Sequence, residues 1–220
     1  VLFQKLSEYD EIDQLLKSRD IPTWVNCARR LMPIYQELQP KFITAAKVNM
    51  HVSGNDLGLG CNGVHFLDLF AFLTGGPIEK LTNFALDPIC VESKREGFKE
   101  FTGAVLGTSA NHDSVTISSS KGLGEGCQIS ITSENERWVV SETNAGFSAV
   151  SLIGNKDGIS SKLVAISDLA TIYFDNLVKT GDSGLTKYED SIKIHKPFLE
   201  VLIKHLNEGG DANWGHCPIT

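Results

Sequence analysis

Gly58-Leu59-Gly60-Cys61-Asn62-Gly63 satisfies the pattern G-x-G-x-x-G, and its reading decides the fold. Between a strand and a helix, such a run lets backbone N–H groups approach an anion at the helix N-terminus. Taken that way, it would open an α/β domain with a parallel sheet. Residues 47–53 before it alternate as a half-buried strand does, with Val48, Met50 and Val52 on one side and Asn49 and His51 on the other. Residues 63–74 after it read as a helix, ended by Gly75-Gly76 and Pro77. Three features oppose the anion reading. Several residues separate Val52 from the glycines, whereas a dinucleotide turn abuts its strand. His65 and Asp68 stand where the helix of such a unit packs on its sheet. The segments beyond residue 77 do not continue an alternation of strands and helices.

After Pro77 the texture changes. Residues 78–86, 101–106, 114–119, 128–132 and 138–143 read as strands. Turns such as Asn111-His112-Asp113 separate them, and Gly122-Leu123-Gly124-Glu125-Gly126 reads as a hairpin connection. Helices at 165–179 and 187–207 close the chain. Ahead of the glycine run, residues 7–17 read as a helix capped by Ser7, with Asp10 reaching back. A short strand comes next at 23–27. A helix at 31–46 has Pro33 in its first turn and Pro40 expected to kink or split it. Helices, then strands, then helices predict an α+β fold: a large open, mostly antiparallel sheet with helices packed on one face. No repeat or linker divides it, so residues 1–220 are read as a single domain.

Composition excludes several partners. The net charge is −7 and no Lys/Arg run stands out, so no nucleic-acid partner is expected. The longest apolar helix candidate, residues 64–73, carries His65 and Asp68 and is too short to span a bilayer, so no membrane partner is expected. Five widely spaced cysteines, an odd number, predict free thiols in a reducing, cytoplasmic setting. The first residues lack the features of a signal peptide.

His65 and Asp68 lie three apart on one helix face, near its N-terminus. A histidine there exchanges protons near neutral pH; the bland alternative is a satisfied polar pair on an amphipathic helix. Cys61 and His65 with His216 and Cys217 have no zinc-site spacing, and no metal is expected. Arg29-Arg30 would clamp a phosphate or carboxylate, or simply be solvated.

The order Trp24-Val25-Asn26-Cys27-Ala28-Arg29-Arg30, Pro33, Tyr35, Leu38, then a strand, then Gly58-x-Gly60-x-Asn62-Gly63-Val64-His65-Phe66-Leu67-Asp68-Leu69 and Leu73-Thr74-Gly75, resembles the Gfo/Idh/MocA oxidoreductases. The closing Cys217-Pro218-Ile219-Thr220 is similar to that family's usual end. The resemblance implies a preceding Rossmann domain that ends near a Glu-Lys-Pro-like motif with a catalytic lysine, and Val1 would fall almost directly after that lysine. It implies that this chain is the C-terminal, substrate-side domain of an NAD(P)-dependent oxidoreductase acting on a sugar, cyclitol or nucleotide sugar. His65 matches the catalytic histidine and Arg29 an arginine near the cofactor. Cys61, Asn62, His51 and Asp68 are placed on the substrate side. NAD or NADP belongs to the full-length protein, with none expected on this chain alone. Many members carry Asp four residues before the histidine, where this chain has Cys61. The alternatives are a non-catalytic dimerisation or small-molecule-binding domain of the same fold, and a free-standing nucleotide binder using residues 58–63. In the resembled family the sheet's uncovered face makes subunit contacts, which predicts a homodimer or higher even oligomer. Val115, Ile117, Ile129 and Ile131 are candidates for that face.

Overall fold

Alternating apolar residues build the strands, and one strand inserted out of chain order organises the sheet. The computed structural model describes residues 1–124, 126–153, 158–161, 166–209 and 213–219. The chain begins with α1 (Leu6–Ser18), β1 (Trp24–Val25), a 3₁₀ turn (Ala28–Leu31), α2 (Pro33–Phe42), β2 (Asn49–Asn55) and α3 (Leu59–Thr74). The strand region holds β3 (Ile78–Leu86), β4 (Val91–Glu92), β5 (Lys99–Glu100), β6 (Gly103–Ser109), β7 (Ser114–Ser120), β8 (Cys127–Thr132), β9 (Arg137–Thr143), β10 (Gly146–Ser151) and β11 (Gly158–Ser161). It closes with α4 (Ile166–Thr180), β12 (Thr186–Lys187) and α5 (Tyr188–Glu208). Glu125, Thr220 and the first residue of the helix expected at 165–179 lie outside the described residues.

Eight strands form one sheet in the order β11-β10-β9-β8-β2-β7-β6-β3. Its neighbours are antiparallel except β2 and β7, which run parallel. The fold is therefore α+β, and its sheet is mostly antiparallel as the pattern predicts. The expected hairpin at 122–126 is corrected: β7 and β8 are not neighbours, because β2 lies between them. A glycine-rich connection looks the same locally whether it joins adjacent strands or steps over one. Here Asn55, at the end of β2, donates from Nδ2 to the Leu123 carbonyl at 2.8 Å and ties the connection down.

Local starts also differ. α1 begins one residue before Ser7, and it is Glu8 that reaches back, accepting from the Lys5 N–H at 3.2 Å. Asp10 instead pairs with Lys196 at 2.7 Å. Pro40 does not split α2: it sits in the last turn, two residues before the helix ends, so the N–H it lacks and the crowding of its ring leave little following helix to displace. β10, β11 and the β4–β5 pair carry weak alternation and were not expected from sequence.

One sheet face is covered by helices. Met50 and Val52 of β2, Val115 and Ile117 of β7, and Ile129 and Ile131 of β8 join Tyr35 and Leu38 of α2, Phe66 and Phe70 of α3, and Phe198 and Leu202 of α5 in one core. Burying each such side chain is worth about 1.5–3 kcal/mol. α4 rests instead on the 3₁₀ turn, through Leu169 against Ala28 and Leu31. Val115, Ile117, Ile129 and Ile131 are each 0% exposed, so their candidacy for the uncovered face is corrected. Alternation separates the two sets of side chains but does not say which set meets the helices. The uncovered face carries the polar set, and the register aligns Thr82, Leu106, Thr116, His51, Ser130, Val139 and Val150 in a row across it. Among the described residues no helix is long and apolar enough to cross a membrane.

Candidate functional site

The N-terminus of α3 is where the glycine motif would bind an anion. Strand β5 delivers Glu100 to that point. Its Oε2 accepts from the Gly60 N–H at 2.9 Å and its Oε1 from the Cys61 N–H at 3.0 Å. A carboxylate there meets both the unsatisfied N–H groups and the positive end of the helix dipole. The glycines answer other demands. Gly58 takes a left-handed φ of 69° as N-cap, and a Cβ on Gly63 would come 2.6 Å from the Phe198 ring of α5. The motif therefore does not fit a dinucleotide pyrophosphate, because the chain's own carboxylate holds that place.

Beside it lies a cleft of about 420 Å³. The start of α3 supplies Asn62 and His65, one turn apart on one face. The 3₁₀ turn supplies Arg29, the end of β9 supplies Glu142 and Thr143, and Phe147 of β10 and Met32 give apolar wall. Asn26 and Asn144 also line it. Arg29 binds Glu142 through one edge of its guanidinium: Nε to the two carboxylate oxygens at 3.2 and 3.3 Å, and Nη2 to Oε2 at 3.0 Å. The Tyr35 hydroxyl also donates to Glu142, and the Arg29 guanidinium lies 4.0 Å over the Phe66 ring. Burial disfavours the Arg29 charge, but the Glu142 carboxylate more than compensates and raises its pKa. Burial, then Glu142, pushes the Tyr35 phenol well above its ordinary value.

His65 makes no hydrogen bond among the described residues, and its ring faces the cleft. Burial first, then the charges of Arg29 and the Val1 amine, lowers its pKa to about 4, so the ring is neutral at pH 7. Behind it His195 of α5 is buried, 3.4 Å from the Tyr9 hydroxyl through Nδ1, with Nε2 unpartnered.

The residues proposed from sequence separate into two groups. Arg29, Asn62 and His65 come together in the cleft. Cys61 is not among the residues that line it: its thiol lies 3.4 Å from the Gly58 carbonyl, and burial and Glu100 raise its pKa to about 11. Asp68 is not in the cleft and does not pair with His65. It is buried deeper along α3, held by Arg30 at 2.9 and 3.0 Å and by the Thr186 hydroxyl. His51 does not reach the cleft either, since its side of β2 is the uncovered face of the sheet. The two arginines are neither anion clamps nor solvated; each is spent on a carboxylate. Among the described residues no three of His, Cys, Asp and Glu converge as a metal would require. Sequence reasoning missed Glu142, although one signal was readable. Glu142 shares strand parity with Trp138 and Val140, so alternation puts a carboxylate on the core side.

No protein-family model and no curated protein matches the sequence. Solved structures match the fold. A super-repressor mutant of Gal80p from Saccharomyces cerevisiae aligns over 93% of this chain and 68% of its own, with 13% identity and a TM-score of 0.68. UDP-N-acetylglucosamine 3-dehydrogenase GnnA from Acidithiobacillus ferrooxidans aligns over 95% of this chain and 68% of its own, with 13% identity and a TM-score of 0.65. Aldose-aldose oxidoreductase from Caulobacter crescentus, complexed with glycerol, aligns over 93% and 67%, with 10% identity and a TM-score of 0.61. The chain spans about two-thirds of each of these proteins.

Proposed function

From a fold shared with the C-terminal domain of Gfo/Idh/MocA-type oxidoreductases, we propose that this chain is the substrate-side part of an NAD(P)-dependent oxidoreductase acting on a hydroxyl of a sugar, cyclitol or nucleotide sugar. The observation that carries this reading is His65: a neutral ring without a hydrogen-bond partner among the described residues, in a cleft otherwise lined by the mutually paired Arg29 and Glu142 and by amide, hydroxyl and apolar groups. Such a ring takes the proton from a substrate hydroxyl as the carbon is oxidised and returns it in the reverse direction. The Asn62 Nδ2 is tied to the Leu57 carbonyl at 2.7 Å, which leaves its Oδ1 to accept from a substrate hydroxyl. Nicotinamide supplies the hydride chemistry. Glu100 fills the one helix N-terminus that the glycine motif offered, so the dinucleotide's phosphates belong outside the described residues.

The test uses a version carrying the preceding domain. His65→Ala lowers kcat by about 10²–10⁴-fold, the usual contribution of a general acid–base group, with NAD(P) affinity unchanged. Turnover near wild type from pH 6 to 9 would overturn the assignment. Cys61 favours a second reading, a non-catalytic ligand-binding or dimerisation domain. It stands where many members have Asp, and its thiol is held neutral. That reading expects sugar binding without NAD(P) reduction on any of a panel of sugars.

A further inference from the structure

Charge in the cleft is cancelled internally. Arg29 is the one cation among its described lining residues, and Glu142 the one carboxylate. They are each other's partner, with side chains 20% and 10% exposed. Three Arg29–Glu142 hydrogen bonds close one edge of the guanidinium, and Phe66 covers one face. On the other side Glu142 is held by the Tyr35 hydroxyl and by the Cys127 thiol, 3.6 Å away. The acid is therefore held from both sides and cannot swing away to free the arginine without abandoning a buried and a half-buried donor. The remaining described polar lining, Asn26, Asn62, His65, Thr143 and Asn144, is uncharged at pH 7, and Phe147 and Met32 offer the apolar surface that the C–H face of a sugar ring prefers.

We propose that Glu142 is a specificity-determining residue: by holding Arg29 it makes the cleft a site for an uncharged polyol ring and turns away sugars that carry a carboxylate or phosphate. This rests on the sugar reading above and narrows it. An anionic substrate would lose its hydration and meet a guanidinium already neutralised, with the Glu142 carboxylate as a like-charged neighbour. A neutral polyol loses only hydroxyl hydration, which amides and the histidine replace.

The experiment is an NMR titration of the 220-residue chain with glucose, myo-inositol and glucuronate, following the backbone amides of Asn62, Thr143 and Phe147. The wild type is expected to bind glucose or myo-inositol at least about fivefold more tightly than glucuronate, since like charge disfavours the acid. Glu142→Gln frees the Arg29 charge and is expected to tighten glucuronate by about tenfold or more, with neutral sugars changed by less than about threefold. Glu142→Gln with Arg29→Gln removes the cation as well and loses that gain. Melting curves of each variant report folding, and the wild-type comparison stands alone if Glu142→Gln does not fold. Glucuronate binding as tightly as glucose in the wild type, or a folded Glu142→Gln without the gain, overturns the proposal. If none of the three probes moves these amides in any protein, the sugar reading itself fails and takes the proposal with it.

Discussion

Glu100 Oε2 lies 2.9 Å from the backbone nitrogen of Gly60, so a carboxylate of this chain occupies the helix N-terminus that the glycine motif offers. Removing it with Glu100→Ala is expected to cost about 0.5–2 kcal/mol, the usual worth of an N-terminal cap, read from urea unfolding. Glu100→Gln keeps the shape and removes the charge. The Cys61 thiol, at about 11 partly because of that charge, then falls toward its ordinary value and alkylates faster with iodoacetamide at pH 8. Micromolar NAD binding to the unaltered chain, abolished by Gly60→Val, would return the motif to a nucleotide role.

Asp68 separates stability from chemistry. Its carboxylate is 1% exposed and held by Arg30 and Thr186. Burial raises its pKa, and the Arg30 charge and hydrogen bonds partly offset that. Asp68→Ala leaves Arg30 unpaired in a site of low polarity and is expected to destabilise by about 3–5 kcal/mol. Ligand shifts at Asn62 and Phe147 should survive wherever the protein stays folded. Loss of sugar binding in a folded Asp68 variant would put the residue back in the site.

The fold was legible where a local pattern carried it. Strand β3 was read at its observed bounds, and Gly75 stopped α3 with a left-handed φ of 70°, as a glycine after an apolar helix predicts. The place of β2 was not legible. Nothing in residues 49–55 says that they pair in parallel with residues 65 positions later, because register is a long-range property. The cleft was legible in part for the same reason. His65 and Asn62 share a turn of helix, but Arg29 and Glu142 are separated by 113 residues and meet only in the folded chain. Asp68 misled because spacing puts it on the side of α3 that His65 shares, while the partners that claim it, Arg30 and Thr186, come from elsewhere.

The uncovered sheet face remains the expected subunit interface. Its central row runs through Thr116, His51 and Ser130, between Leu106 and Val139. If two copies meet there, Ser130→Arg is expected to convert a dimer to a monomer by light scattering with the melting temperature of the monomer fold retained. Ile117→Arg, on the covered face, would instead abolish folding by burying an unpaired charge. A wild-type monomer at high micromolar concentration would remove this expectation.

One half-buried and one buried histidine, His65 and His195, set the response to mild acid. The folded pKa values are about 4 for His65 and about 3 for His195, both lowered first by burial. The unfolded value is about 6.5. Between these limits the unfolded chain binds more protons than the folded one, so stability rises with pH through the window. The stabilisation is complete above about pH 6.5 and erodes as pH falls, by about 2 kcal/mol per histidine between pH 7 and pH 5. Urea midpoints at the two pH values measure it, and His195→Gln should remove about half of the loss. Equal midpoints at pH 7 and 5 would mean that neither ring is desolvated.

Replacing Cys61 by aspartate tests how the helix start tunes His65. Sequence spacing alone predicts that Cys61→Asp places a negative charge one helical turn from His65 and raises its pKa. The structure adds Glu100, whose carboxylate accepts the Cys61 N–H and helps raise the Cys61 thiol's pKa. An aspartate there would face a like charge and stay partly protonated, so its effect on His65 is blunted. Removing that opposition restores it. Glu100→Gln with Cys61→Asp is expected to raise the His65 pKa from about 4 by about one unit, and Cys61→Asp alone by about half of that. Ring-proton NMR titration of His65 reads both. In a version carrying the preceding domain, the acidic limb of the pH–rate profile should move upward by the same amounts, since His65 must begin as the base. Equal shifts in the single and double variants would show that Glu100 does not act on this position. No shift in either would place residue 61 out of electrostatic reach of the histidine.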